Sequence, residues 1–376
     1  MLNFSMKQLP FAEWIDAIVD WLTDHLSGLF TVLRIAGEAV MNFMTMILTA
    51  IPPFVMMAIL VIAAFFVFKR KWGFAAFTLV GLLFIYNQDM WTDLMNTITL
   101  VIISSLVAVI IGVPLGILMS KSDTVEKIIK PILDLMQTMP GFVYLIPAVA
   151  FFGIGMVPGV FASVIFALPP TVRMTNLGIR SISTELVETS NSFGSTAWQR
   201  LFKLDLPMAK ENIFAGINQT IMLTLSMVVI ASMIGTPGLG QGVLAAVQRS
   251  EVGNGFVFGI GIVVLAIIID RFTQALNRPK NTRMSNKKKW VITGIIALIA
   301  LIVILLSIFF SPTKSSNKGT ITLAYAQQDD QIVSTNVMKQ VLEEEGYTVN
   351  TTSLDIPVVW EAVAKGEADA MTGPWL

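Results

Sequence analysis

Residues 188–207 read ETSNSFGSTAWQRLFKLDLP and separate two long apolar segments of the chain. Glu188-Thr-Ser is followed after three residues by Gly194, and nine further residues lead to Leu204-Asp-Leu206-Pro207. Glycine permits the left-handed backbone of a tight turn, and proline cannot continue a helix without losing a hydrogen bond. The pattern predicts two short helices that meet at Gly194, the second ended by Pro207, and that form a knob projecting from the apolar part of the chain.

The composition places the rest of the chain in a lipid bilayer. Hydrophobic residues make up 55% of the 376 residues and charged residues 13%, whereas soluble domains carry about 25% charged residues. The net charge is zero, which gives no indication of nucleic-acid binding. The chain has no cysteine and one histidine, His25, so thiol catalysis and histidine metal clusters are excluded. We therefore expect a membrane protein without catalytic residues or a metal site.

Eight apolar segments come close to the roughly 20 residues that cross a bilayer as a helix. They cover residues 54–68, 72–87, 92–119, 132–156, 159–178, 212–234, 255–276 and 290–310. Basic residues collect in alternate connections, namely 69–71, 121–130, 180–210 and 278–289. Because such residues mark cytoplasmic loops, both the N-terminus and the C-terminal tail are expected outside the cell.

The N-terminal region, residues 1–50, is amphipathic at helical spacing. Apolar side chains at Trp14, Ile18, Trp21 and Leu22 alternate with acidic side chains at Asp16, Asp20 and Asp24. This favours a helix in the membrane interface, with its tryptophans facing inward. Residues 29–50 are more apolar, and Arg34 and Glu38 are spaced to pair within one helix. A further span over residues 29–50 is the alternative.

The segment 188–207 resembles the cytoplasmic loop of bacterial ABC importer permeases, which reads EAA, three residues, Gly, nine residues and I-x-L-P. Thr189 and Ser190 replace the alanines and Leu204 the isoleucine, while the spacing is the same. The resemblance implies that residues 51–310 form an all-α type I importer permease domain and that the loop couples it to an ATPase. The implied coupling residues are Glu188, Thr189, Ser190, Gly194, Leu204, Leu206 and Pro207.

The nucleotide chemistry is expected on a partner protein. The chain lacks a G-x4-G-K-[ST] phosphate-binding motif, so it binds no cofactor by that route, and ATP and Mg²⁺ belong to a separate ATPase. The resemblance implies two copies of that ATPase and a second copy of this chain, in a bacterial plasma membrane. An ion-coupled secondary transporter or a membrane osmosensor is the less favoured interpretation.

Three further stretches narrow the resemblance. Residues 137–144 (QTMPGFVY), 167–173 (ALPPTVR) and 234–240 (IGTPGLG) are similar to permeases for glycine betaine, choline and proline betaine. Prolines inside spans line a cavity or are buried in protein, so Pro140, Pro169 and Pro170 are candidates for the translocation path or for simple kinks. Asn218 gives the sixth span a polar face, for solute contact or for helix–helix hydrogen bonding.

The composition changes after the eighth segment. Residues 311–319 form a polar linker, and residues 320–376 predict a β-α-β-α-β series that begins an extracellular α/β domain and stops inside it. This resembles importers whose permease and receptor share one chain. Such sheets bind ligands at the carboxyl ends of their strands. There the candidates are Gln328, Trp360 and Trp375; tryptophan attracts quaternary ammonium groups, although Trp360 also suits packing within its helix. Glycine betaine is the expected solute, with choline, carnitine and proline as alternatives.

Overall fold

The structure is a computed structural model and describes residues 10–67, 72–277 and 319–372. Its membrane part is helical throughout the described residues. The helices are α1 (Phe11–Ala50), α2 (Pro53–Val67), α3 (Trp72–Asn87), α4 (Trp91–Lys121), α5 (Asp123–Thr138), α6 (Leu145–Phe152), α7 (Met156–Arg180), α8 (Thr184–Ser192), α9 (Ala197–Arg200), α10 (Leu206–Ala231), α11 (Leu239–Gln248) and α12 (Val252–Asn277).

Five helical runs among the described residues are long and apolar enough to cross a membrane. These are Phe11–Ala50, Trp91–Lys121, Met156–Arg180, Ala197–Ile234 and Val252–Ala275, and a sixth results if α5 and Gly141–Phe152 count as one bent span. The shorter helices α2 and α3 are also apolar. The segment predicted at 290–310 and the basic residues of 69–71 and 278–289 lie outside the described residues.

The fourth predicted span, residues 132–156, is interrupted rather than straight. The chain bends by 109° between α5 and residues 141–152, because Met139 and Pro140 adopt extended backbone and end α5. α5 itself begins at Asp123 and carries charged residues along one side, which suits a membrane surface better than hydrocarbon. Of the prolines considered as kinks, Pro140 therefore stands at an interruption of the span. Pro169 and Pro170 do not, since α7 continues through both.

The centre of the membrane part consists of α4, α7 and α10, which approach closely at glycines. A Cβ on Gly116 of α4 would lie 2.6 Å from the Cβ of Thr175 in α7, and one on Gly216 of α10 would lie 2.8 Å from the Cβ of Met174. Small residues commonly allow such approach between membrane helices. Thr220 of α10 also donates a 2.8 Å hydrogen bond to the Ala167 carbonyl, beside the proline pair of α7. The neighbouring helix thus supports the continuous course of α7.

Helix α1 runs across the outer ends of the core helices. Phe30 stacks on Phe151 at the end of α6, with ring centroids 4.5 Å apart, and Thr45 donates to Thr99 near the outer end of α4 over 3.2 Å. Beyond α1, Phe54 packs on Tyr86 at the outer end of α3. Residues 30 and 45 are about 22 Å apart along a helix, yet both meet the same side of the bundle. These contacts place α1 across the bundle rather than parallel to its helices.

The predicted β-α-β-α-β series is confirmed at the C-terminal end of the described chain. Its elements are β1 (Thr320–Tyr325), α13 (Asp329–Glu344), β2 (Thr348–Ser353), α14 (Ile356–Ala364) and β3 (Ala370–Met371). The strands are parallel in the order β2-β1-β3. Gly346 and Gly366 follow the two helices with positive φ angles of 91° and 73°, as expected of C-terminal helix caps. Ala324, Leu354 and Val359 are buried between sheet and helices.

Candidate functional site

The knob predicted at 188–207 is present and exposed. Its first helix, α8, carries Glu188, Thr189 and Ser190, and Gly194 turns the chain with a φ angle of +74°. A capping box at Thr196 then starts α9: the Thr196 amide donates to Gln199 Oε1 over 2.9 Å, and the Gln199 amide donates to Thr196 Oγ1 over 3.3 Å. The start of the second half of the knob is therefore fixed by reciprocal hydrogen bonds.

Aromatic side chains on the knob were missed in the sequence. Trp198 is 70% exposed and Phe193 85% exposed, while Trp198 and Phe202 stack with ring centroids 5.7 Å apart. Exposed apolar side chains that lie together mark an interaction surface more often than solitary ones do. The sequence signal that could have revealed this surface is the presence of three aromatic residues, Phe193, Trp198 and Phe202, within one loop.

The prediction that Pro207 ends the second helix is wrong. Residues 201–205 form a π-helical turn in which the Leu206 amide donates to the Leu201 carbonyl, and α10 follows without a break. Proline lacks the amide hydrogen that an α-helical turn would require, and the wider turn precedes it. The knob is consequently continuous with a run of 38 helical residues from Ala197 to Ile234.

An ion pair with a buried carboxylate attaches the knob to a second membrane helix. Asp205 is only 1% exposed, and its carboxylate pairs with Lys121 at the end of α4. Arg200 of α9 approaches the same carboxylate, with 3.6 Å between Nε and Oδ2. A buried carboxylate is costly unless it is paired. Lys121, Arg200 and Asp205 therefore form one unit, which sequence spacing alone did not bring together.

The cytoplasmic ends of α5 and α7 are joined by a second set of ion pairs. Arg180, at the end of α7, lies 2.7 Å from Asp123 and 3.1 Å from Glu126 of α5. It also donates to the Met119 carbonyl of α4 over 2.9 Å. This network lies one short connection before the knob and joins α4, α5 and α7.

The predicted path residues have separate surroundings in the described structure. Pro140 precedes Gly141, whose position packs against Met227 of α10, while Pro169 and Pro170 are buried within α7. Asn218 donates to Asp270 of α12 over 3.0 Å. Asn218 thus takes part in helix–helix hydrogen bonding, and the proline pair is supported by a neighbouring helix. Their roles in translocation stay predictions.

A cavity of about 440 Å³ lies at the carboxyl edge of the C-terminal sheet. Two of the three predicted ligand residues, Gln328 and Trp360, line it, and Trp375 lies outside the described residues. Gln331 accepts from the Ala326 amide over 2.9 Å and donates to Gln328 over 3.3 Å, which orients the Gln328 side chain. The remaining lining residues are Ala326, Gln331, Ile356, Val359 and Met371.

Comparison with known families accounts for both parts of the chain. Residues 108–312 match the model of the binding-protein-dependent transport system inner membrane component. The chain belongs to this family. It is therefore the permease of an ABC importer, and a separate ATPase subunit hydrolyses the ATP. Residues 319–376 of the permease match the substrate binding domain of the ABC-type glycine betaine transport system.

Three curated relatives cover most of the permease. The glycine betaine/carnitine transport permease protein GbuB of Listeria monocytogenes is 59% identical over 276 residues, 73% of this chain and 98% of the relative. The glycine betaine transport system permease protein OpuAB of Bacillus subtilis is 48% identical over 74% of this chain and 98% of its own. ProW of Escherichia coli, a glycine betaine/proline betaine permease, is 43% identical over 79% and 82%.

Proposed function

We propose that the permease imports glycine betaine, or a closely related quaternary-ammonium solute, for osmoprotection. The observation that carries the proposal is the cavity at the carboxyl edge of the C-terminal sheet, where Trp360 and Gln328 meet. The matched domain model and the names of the relatives support the same solute class. Carnitine and proline betaine appear in two of those names, and choline and proline are less favoured solutes.

The two side chains suit the two ends of a betaine. A quaternary ammonium group has no N–H to donate, so attraction to the face of an aromatic ring is its main specific contact. Trp360 supplies such a face and is partly exposed at the cavity. The Gln328 amide can donate to a carboxylate, and Gln331 holds the Gln328 side chain by its oxygen, which leaves the Gln328 NH₂ group for the ligand.

Transport requires movement of the membrane part, and the knob is placed to receive it. We infer that two copies of the chain assemble with two ATPase subunits and that each knob docks into one ATPase. Trp198 and Phe202 would fill a groove of the partner. Because α9 continues into α10 and Asp205 pairs with Lys121 of α4, displacement of the knob would move both helices as one body.

Calorimetry on the purified protein tests the solute. Glycine betaine, carnitine and proline betaine are expected to bind, and Trp360→Ala should weaken binding about tenfold, since a cation–π contact contributes on the order of 1–2 kcal/mol. Trp198→Ala is the matched control, an exposed tryptophan of the knob, and should bind solute like the unaltered chain. Absence of binding for every quaternary amine would refute the proposal.

A further inference from the structure

The C-terminal domain contacts the outer end of the membrane part through two polar side chains at the end of α11. Gln248 Nε2 donates to Asp355 Oδ1 over 2.7 Å, and Arg249 Nη2 donates to Gln327 Oε1 over 2.9 Å. Arg249 is the single basic residue predicted on the outer side between the sixth and seventh spans. Its hydrogen-bond partner, Gln327, belongs to the C-terminal domain, which is expected on the same outer side of the membrane.

Both partners stand at the rim of the solute cavity. Gln327 follows β1 and lies between Ala326 and Gln328, which line the cavity, and Asp355 follows β2 and precedes Ile356, another lining residue. The Gln327 side chain is fixed from its other end, since its Nε2 donates to Ser353 Oγ over 2.7 Å. Its oxygen is thus presented to Arg249.

The surrounding surfaces fit closely at two glycines. Gly153 and Gly235 both have positive φ angles, 76° and 77°. A Cβ on Gly153 would lie 2.8 Å from Glu367 Oε1, and one on Gly235 would lie 2.7 Å from both Leu354 Cδ2 and Thr352 Cγ2. A larger residue at either position would force side chains of the C-terminal domain to move. The contact therefore depends on main-chain surface as well as on the two polar pairs.

We propose that Gln248 and Arg249 form a docking corner that holds the receptor domain of the same chain with its cavity rim against the outer end of the membrane part. The proposal rests on the proposed function, because it concerns delivery of the solute from that cavity. Arg249 holds the rim residue Gln327, whereas Gln331 fixes the lining residue Gln328 separately. The corner therefore positions the cavity for delivery of the solute without forming part of its wall.

Charge reversal separates delivery from binding. Arg249→Glu is expected to lower solute uptake by the complex with its ATPase at least tenfold, while the Kd of the chain for glycine betaine changes less than twofold. Adding Gln327→Lys should restore a substantial part of the uptake. Glu344→Lys is the control, because Glu344 is exposed at the end of α13 that lies away from the rim, and uptake should be unchanged.

Cross-linking tests the geometry directly, because the chain contains no cysteine. The double variant Gln248→Cys/Asp355→Cys is expected to form a disulfide within one chain under mild oxidation. Gln248→Cys/Glu344→Cys should form none, since Glu344 is 15 residues along α13, roughly 22 Å from the rim. Normal uptake by Arg249→Glu, or a disulfide that joins two chains, would overturn the docking proposal. Loss of solute binding in the unaltered chain would instead refute the proposed function.

Discussion

Replacing Lys121 by methionine tests whether the knob is attached to α4 through a buried charge. Methionine keeps the length of the side chain and removes its ammonium group, which pairs with the Asp205 carboxylate. Loss of one partner from a fully buried ion pair costs about 3–5 kcal/mol. The Lys121 side chain is 34% exposed, and Arg200 stands 3.6 Å from the same carboxylate. We therefore expect a smaller cost of roughly 1–3 kcal/mol.

Such a cost shifts the equilibrium between an attached and a detached knob by roughly 5- to 150-fold. In proteoliposomes that contain the permease and its ATPase, Lys121→Met should lower solute uptake more than ATP hydrolysis, because the ATPase still binds the knob but no longer moves α4. The ratio of solute transported to ATP hydrolysed is the measured quantity. Asp205→Asn leaves Lys121 and Arg200 facing a neutral amide and should also lower the ratio of solute transported to ATP hydrolysed.

Lys127→Met provides the matched control, since Lys127 is an exposed lysine on α5 close to the same membrane surface. The exchange Lys121→Asp/Asp205→Lys should recover part of the coupling that either single variant loses. An unchanged transport ratio in Lys121→Met, together with an unchanged thermal midpoint of the complex, would refute the view that this ion pair carries movement.

Other consequences of the geometry can be measured separately. Trp198→Ala should weaken ATPase association by roughly 2 kcal/mol, as for a buried aromatic anchor, and co-purification with Glu185→Gln as the control would reveal it. Gly194→Ala should destabilise the knob by about 1–2 kcal/mol because of its positive φ angle, seen as lower ATPase stimulation with intact solute binding. Burial raises the pKa of Glu367 above its ordinary value of 4.5, against the smaller opposing effects of Arg34 and the Ile154 backbone of the membrane part. Docking is therefore favoured with this carboxyl protonated and weakens as the pH rises through that raised pKa. The yield of the Gln248→Cys/Asp355→Cys disulfide should follow that trend, and the added change Glu367→Gln should abolish it.

The sequence predicted those parts that depend on local pattern. Gly194, Gly346 and Gly366 each take the positive φ angle that a turn or helix cap requires, and the alternation of strands and helices after residue 319 followed from hydrophobic spacing. The fused permease and receptor were confirmed by the two matched family models. These features are encoded within a few consecutive residues, so a single sequence suffices to reveal them.

Features that depend on neighbouring helices were missed or wrong. Pro207 was expected to end a helix, but a π-helical turn carries the chain past it, and the proline pair of α7 is supported by Thr220 from α10. The pairing of Lys121 with Asp205 joins residues that are 84 positions apart. No periodicity or spacing signals such a contact, because it arises only when α4 and α10 pack.

One continuous segment connects the two functional ends of the permease. It begins at Ala197, in the second helix of the knob, and crosses the membrane as a helical run to Ile234. The chain then turns at Gly235 and continues as α11 to Gln248, beside Arg249. The helical run alone is about 57 Å long, enough to reach from the cytoplasmic surface to the outer one. A displacement of the knob would therefore be transmitted through α10 to Gly235 and the docking corner. Movement driven by ATP at the cytoplasmic surface would reach the receptor at the outer surface through helices that are joined by the short turn at Gly235. If so, Arg249→Glu should abolish stimulation of the ATPase by solute while leaving its basal activity unchanged, and equal stimulation in both proteins would show that the signal takes another route.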